Sequence, residues 1–251
     1  MAKNNETGHA VNASNFIEKI NVIARNESNY QPTNEAILLT ALLPLRDRVK
    51  ASVEQVTAAK TAFMQAAAKR KGGYENLVAL ATRGINLLSA SGADDIEVKQ
   101  GKALLAKLKS IRVSDTPDEE QLKAKAEVNG ETPKVPKTIS VSQQGFINLL
   151  AHFNDIVLFL RTVKAYKPNE ADLTPDALAA YAQSLDTLNA ERNKASAEWA
   201  KAIKARNNLM YAEPSGAYHL ANSIMAYVAG ANKKDSLFYK ELLKYPVRSY
   251  K

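Results

Sequence analysis

AILLTALLPLRDRVKASVEQVTAAKTAFMQAAAKR, the stretch from Ala36 to Arg70, carries the pattern from which the fold is read. Apolar or small residues fall at Leu38, Leu42, Leu45, Val49, Ser52, Val56, Ala59, Phe63 and Ala66, in alternating steps of four and three. A face recurring every 3.5 residues is the seam of a coiled-coil-like helix, sustained here for about four heptads. LAAYAQSLDTLNAERNKASAEWAKAIKAR, from Leu178 to Arg206, repeats the alternation at Leu178, Tyr181, Leu185, Leu188, Arg192, Ala195, Trp199 and Ala202. A displacement of 136 positions carries the first series onto the second: Leu42 onto Leu178, Val49 onto Leu185, Ala59 onto Ala195, Ala66 onto Ala202 and Arg70 onto Arg206. Phe63 lands on Trp199, so the bulky aromatic of each long segment occupies the same place.

The recurrence extends upstream. Tyr30-Gln31-Pro32-Thr33-Asn34-Glu35-Ala36 is answered by Tyr166-Lys167-Pro168-Asn169-Glu170-Ala171, with one residue fewer before the Asn-Glu-Ala. Tyr30 and Tyr166, and likewise Pro32 and Pro168, lie 136 apart. Downstream, Tyr74 pairs with Tyr211 and Gly92 with Gly230 once one or two insertions are allowed. Self-similarity at a fixed offset marks a duplicated supersecondary unit. The expected fold is therefore all-α: an internally duplicated helical bundle with two long, antiparallel, coiled-coil-like helices and flanking shorter helices. Residues 1–13 read as a polar N-terminal arm, 14–110 as the first helical repeat, 111–139 as a connector loop able to hold a small hairpin, and 140–251 as the second repeat, fused with the first into one domain.

Helices are expected from Ser14 to Glu27, Asn34 to Lys71, Tyr74 to Ser91 and Asp94 to Ser110, then from Ser140 to Ala165, Thr174 to Asn208, Ser215 to Ala229 and Lys233 to Lys244. Ser14, Asp94, Ser140 and Thr174 suit N-caps, Pro175 suits the first helical position, and Gly72-Gly73 and Gly92 suit helix ends. Pro44 predicts a kink or a late start in the first long helix.

Composition narrows the chemistry. The 251 residues include 10 Gly, 9 Pro and no Cys. Disulfides, thiolate nucleophiles, iron–sulfur clusters and thiolate zinc sites all drop out. The few Gly and Pro argue against a many-stranded sandwich or barrel. A net charge of +8 allows nucleic acid, an anionic surface or an acidic partner. The opening MAKNNETGHAVNASN lacks the apolar core of a secretory signal, and Phe146 to Leu160, interrupted by Asn148, His152, Asn154 and Asp155, falls short of a membrane span. Either a cytoplasmic location or export by a non-classical route is consistent with that.

Catalytic and metal-binding constellations are not visible. His9, His152 and His219 lie far apart and have no ligating partner at helical spacing. There is no G-x-S-x-G elbow, and Lys71-Gly72-Gly73 is a helix stop without the rest of a phosphate loop. No catalytic residue, metal or cofactor is expected, and the chain reads as a non-enzyme. Basic clusters at Lys69-Arg70-Lys71, at Lys194 to Arg206 and at Lys233 to Lys251 would bind nucleic acid through phosphates, without a recognised reading motif. Tyr218, Tyr227, Tyr239, Tyr245 and Tyr250 form a tyrosine-rich final third, suited either to a protein–protein surface or to a core rim.

Glu6-Thr7-Gly8-His9-Ala10-Val11-Asn12-Ala13-Ser14-Asn15-Phe16, the Tyr30-x-Pro32 turn and the closing Tyr239 to Arg248 segment resemble an uncharacterised family of Bacteroidota proteins with a GHAxNxxNF-like start and two Tyr-x-Pro turns. Val11 stands where that family commonly has Lys. The resemblance implies a repeated helical fold and brings no functional residues with it. The expected function is structural or scaffolding, through self-association into a homo-oligomer or filament. The alternatives are a helical pore-forming or membrane-acting protein, which would reach a bilayer only after a conformational change, and non-specific nucleic-acid binding.

Overall fold

His9–Arg25 forms the first helix, α1, because Phe16, Ile20 and Ile23 recur at helical spacing and are wholly buried. In this computed structural model residues 8–109 and 145–249 are described, and among them every regular element is helical. After α1 come α2 (Leu39–Gly73), α3 (Leu77–Ala90), α4 (Asp95–Leu108), α5 (Phe146–Thr162), α6 (Pro175–Tyr211), α7 (Ala217–Ala231) and α8 (Leu237–Leu243), with short 3-10 turns at Glu27–Asn29, Glu35–Ile37 and Ala171–Leu173. The all-α expectation therefore holds. The connector 111–139 and Ser140 lie outside the described residues.

Several boundaries move. Helix α1 begins at His9 behind Gly8, whose φ of 147° is a conformation glycine adopts freely, so the last five residues of the expected arm are helical and Ser14 is not the cap. Asp94 caps α4 through a reciprocal capping box with Glu97, and the Thr174 hydroxyl accepts the Ala177 N–H with Pro175 at the first helical position. Helix α2 starts late, at Leu39, and holds Pro44 within its second turn. Gly92 ends α3 with φ 78°, but the matching left-handed residue after α7 is Lys233, φ 63°; Gly230 sits inside the helix. The Asn-Glu-Ala correspondence also shifts. Tyr30 Oη donates to the Ile37 carbonyl at 2.8 Å, and Tyr166 Oη donates to the Leu173 carbonyl at 2.7 Å. Both bonds span seven residues, so the 136 offset runs through the turn without a gap and pairs Asn34 with Glu170.

The packing units are not the sequence repeats. One compact unit combines the chain up to Gln65 with the chain from Asn193 onward; the other is Ala66–Arg192. The first unit buries Phe16, Ile20 and Ile23 of α1 and Leu42 and Val49 of α2 with Ile224 and Val228 of α7 and Leu242 of α8. The second buries Phe153, Ile156 and Leu160 of α5 and Leu178 and Leu185 of α6 with Ile85 and Leu88 of α3. Each unit thus takes a short helix, a Tyr-x-Pro turn and the start of a long helix from one repeat. From the other repeat it takes the end of the long helix and the pair that follows. Each fully buried aliphatic or Phe contributes roughly 1.5–3 kcal/mol through apolar burial. Gly101 permits the close approach of α4 to α3, since a Cβ there would lie 2.8 Å from Leu88.

Along the long helices the seam is occupied as the periodicity predicts. Leu42, Leu45, Val49 and Ser52, and on α6 Leu178 and Leu185, are buried. From Val53 to Gly73 of α2 and from Glu191 to Leu209 of α6 only a half-buried stripe remains, including Val56, Ala59, Phe63, Ala195, Trp199 and Ala202. A half-buried stripe is what a helix shows when a single neighbouring helix covers it. In the second unit the end of α2 is tied to α6: the Asn189 amide donates to Tyr74 Oη at 2.7 Å, and Tyr181 Oη donates to the Gly73 carbonyl at 2.5 Å. In the first unit the repeat equivalents Phe63 and Trp199 pack on one another with ring centroids 5.3 Å apart.

Candidate functional site

Among the polar side chains of helix α1, Asn12, Asn15 and Lys19 are spaced three and four apart, and this spacing puts them on one stripe beside Phe16 and Ile20. All three reach the backbone that follows α7. The Asn12 amide nitrogen donates to the Arg248 carbonyl at 2.9 Å, and its oxygen accepts the Arg248 N–H at 3.1 Å. A side-chain amide that closes both bonds to one residue does what a neighbouring strand would do. The Asn15 amide donates to the Pro246 carbonyl at 2.8 Å, and Lys19 Nζ donates to the Leu242 carbonyl at 2.8 Å.

Beyond the bend at Tyr245 the clasped residues 246–249 belong to no regular element. Tyr245 and Val247 turn inward against the core of the first unit while Pro246 and Arg248 face outward, the alternation of a strand. The clasp is anchored from behind. The second hydrogen of the Asn12 amide goes to Tyr211 Oη at 3.1 Å, and Tyr211 Oη also lies 3.0 Å from His9 Nδ1. Burial, helped by the nearby Arg206 charge, holds the His9 imidazole below its ordinary pKa, so its neutral form prevails and Nδ1 can accept the tyrosine proton.

Lys19 is the deepest member, 2 % exposed. Its contacts are the Leu242 carbonyl and Met225 Sδ at 3.2 Å, and among the described residues no carboxylate lies within ion-pair distance. Burial pulls the ammonium pKa down to about 8. The carbonyl it meets lies in the last turn of α8, where the helix dipole is negative.

The tyrosines of the final third are spread around the first unit. Tyr227 meets Tyr30 edge to face at 5.3 Å, and its hydroxyl accepts the Gln31 N–H at 3.0 Å. Tyr239 and Tyr245 are half-buried against the core, Tyr218 packs edge to face on His219, and Tyr250 lies outside the described residues. Three of the five, Tyr227, Tyr239 and Tyr245, therefore pack against the core of their own unit. Tyr30 and Tyr166 are structural: burial raises both pKa values, Tyr166 to about 12. Pro32 is buried and Pro168 half-buried in the two turns.

Of the basic clusters, Arg70 is engaged over the Phe146 ring, 4.2 Å from its centroid. Among the described residues no three His, Cys, Asp or Glu gather as metal ligands, and no helix is long and apolar enough to cross a membrane. A recess in the second unit is lined by Gln100, Ala103, Leu104, Lys107 and Phe159, with no acidic side chain among these residues.

In the sequence Asn12 and Asn15 stand out only as part of the N-terminal motif. The signal that could have revealed them is the run of polar residues flanking an otherwise apolar helix face. No family model, curated protein or solved structure matches this chain.

Proposed function

We propose that this protein is a non-enzymatic structural or scaffolding protein that acts by self-association into an oligomer or filament. The observation that carries this reading is the exchanged construction of the two units, each completed by helices from both repeats. Surfaces that complete one another within a chain are chemically able to complete one another between chains, the low-barrier route to homo-oligomers known as domain swapping. The arrangement of side chains supports a binding role more readily than a catalytic one: its best-organised polar cluster is satisfied by peptide backbone, which leaves no poised nucleophile or base. Sedimentation velocity across a wide concentration series, with negative-stain microscopy of the same samples, tests the reading. A mass that rises with concentration is expected; a monomer of unchanging mass would overturn it.

A further inference from the structure

We infer that the Asn12–Asn15–Lys19 face of α1 is a docking groove for the 241–249 segment of a second copy of this chain, so that copies join by exchanging this segment. The inference rests on the self-association proposed above and names the element that is exchanged.

Four observations point to it. The groove reads backbone: four hydrogen bonds join three side chains to main-chain atoms of Leu242, Pro246 and Arg248, while Leu242, Tyr245 and Val247 turn their side chains to the core. Main-chain recognition of an extended segment with alternate side chains in pockets is a general mode of peptide capture, equally open to a segment in cis or in trans. Next, the fold itself does not require the polar set. With an offset of 137, which carries Phe16 onto Phe153, the equivalent positions on α5 are Leu149, His152 and Ile156, and Ile156 is wholly buried. The second unit packs the same face without amides or an ammonium.

The helix that leads into the segment is also incompletely covered. Helix α8 has only seven residues, and Leu237 is 86 % and Leu243 54 % exposed at its two ends. These apolar surfaces gain cover if a second copy lies alongside. Finally, Arg25 of α1 pairs with Glu241 of α8 at 3.3 Å, so charge complementarity accompanies the segment into whichever groove it enters. The covalent tether raises the effective concentration of the cis arrangement, so exchange grows with protein concentration.

The absence of cysteine makes a clean test available. Full-length Asn15→Cys and Pro246→Cys variants are prepared separately and together, then treated with a short bis-maleimide. Internal bridging of the double variant establishes that the clasp is formed. Mixing the two single variants at high concentration is expected to give a covalent dimer bridging residue 15 of one copy to residue 246 of the other. Its yield should rise with concentration and fall in the presence of excess synthetic LLKYPVRS, residues 242–249. Internal bridging of the double variant with no mixed dimer at any concentration would overturn the exchange. Light scattering on the same samples separates the two proposals: large particles without the mixed bridge overturn exchange alone, and monomers without it overturn both.

Discussion

Lys19 and Ile156 hold equivalent places on α1 and α5, and one is a buried cation where the other is a buried aliphatic. An ammonium drawn from water with no carboxylate beside it among the described residues opposes folding, and the carbonyl of Leu242 offsets only part of that penalty. The pH dependence follows from the lowered pKa. The unfolded chain keeps Lys19 protonated up to about pH 10.5, whereas the folded chain releases the proton near pH 8. Between those values the unfolded state binds more protons, so stability rises with pH; below about pH 8 the full penalty is present. Lys19→Met is expected to remove that rise while being at least as stable as the parent at pH 7. Urea unfolding of both proteins from pH 7 to 10.5 checks it. A parallel pH dependence in the two proteins would contradict the assignment. The side chain nevertheless holds α8 in place, and this is the residue-scale reason to connect it with the clasp.

The Tyr-x-Pro turn is the element that the two repeats share most closely. Proline fixes one φ, and the tyrosine hydroxyl reaches seven residues ahead to the carbonyl before the long helix. Tyr30→Phe and Tyr166→Phe each remove a buried hydrogen bond and are expected to destabilise by about 1–2 kcal/mol, by similar amounts, as thermal or chemical unfolding will show. Unequal losses of several-fold would mean that the turns are not equivalent. These turns and the long-helix seam were legible in the sequence because each is a local pattern: a spacing of 3.5 residues survives substitution at any one position, and Tyr-x-Pro is short. Cap positions were less legible. Ser14 resembles a cap by type, but Ala13 and Phe16 belong to an apolar stripe that begins a turn earlier, and the positive-φ Gly8 stands just before the first turn. Lys233 adopts the left-handed conformation that residue preference would have given to Gly230.

At the scale of the whole molecule, periodicity says which face of a helix is apolar and is silent on which helix covers it. The sequence shows two repeats, and nothing local distinguishes a repeat folded on itself from one that completes its neighbour. The choice made is exchange: α1 is buried with α7 and α8, and α5 with α3 and α4. The clasp was hidden for a related reason. Asn12 and Asn15 bind backbone, so their partners at Pro246 and Arg248 carry no complementary residue type to be found by inspection. Exchange between repeats is also the physical basis of the proposed self-association, so the account depends on it more than on any single contact. Fragments 1–110 and 140–251, prepared separately and followed by far-ultraviolet circular dichroism during heating at low concentration, test it most directly. The account predicts broad, weakly cooperative melting for each fragment alone and a sharp transition, approaching that of the intact chain, when they are mixed. Sharp transitions in the separate fragments, unchanged on mixing, would contradict it.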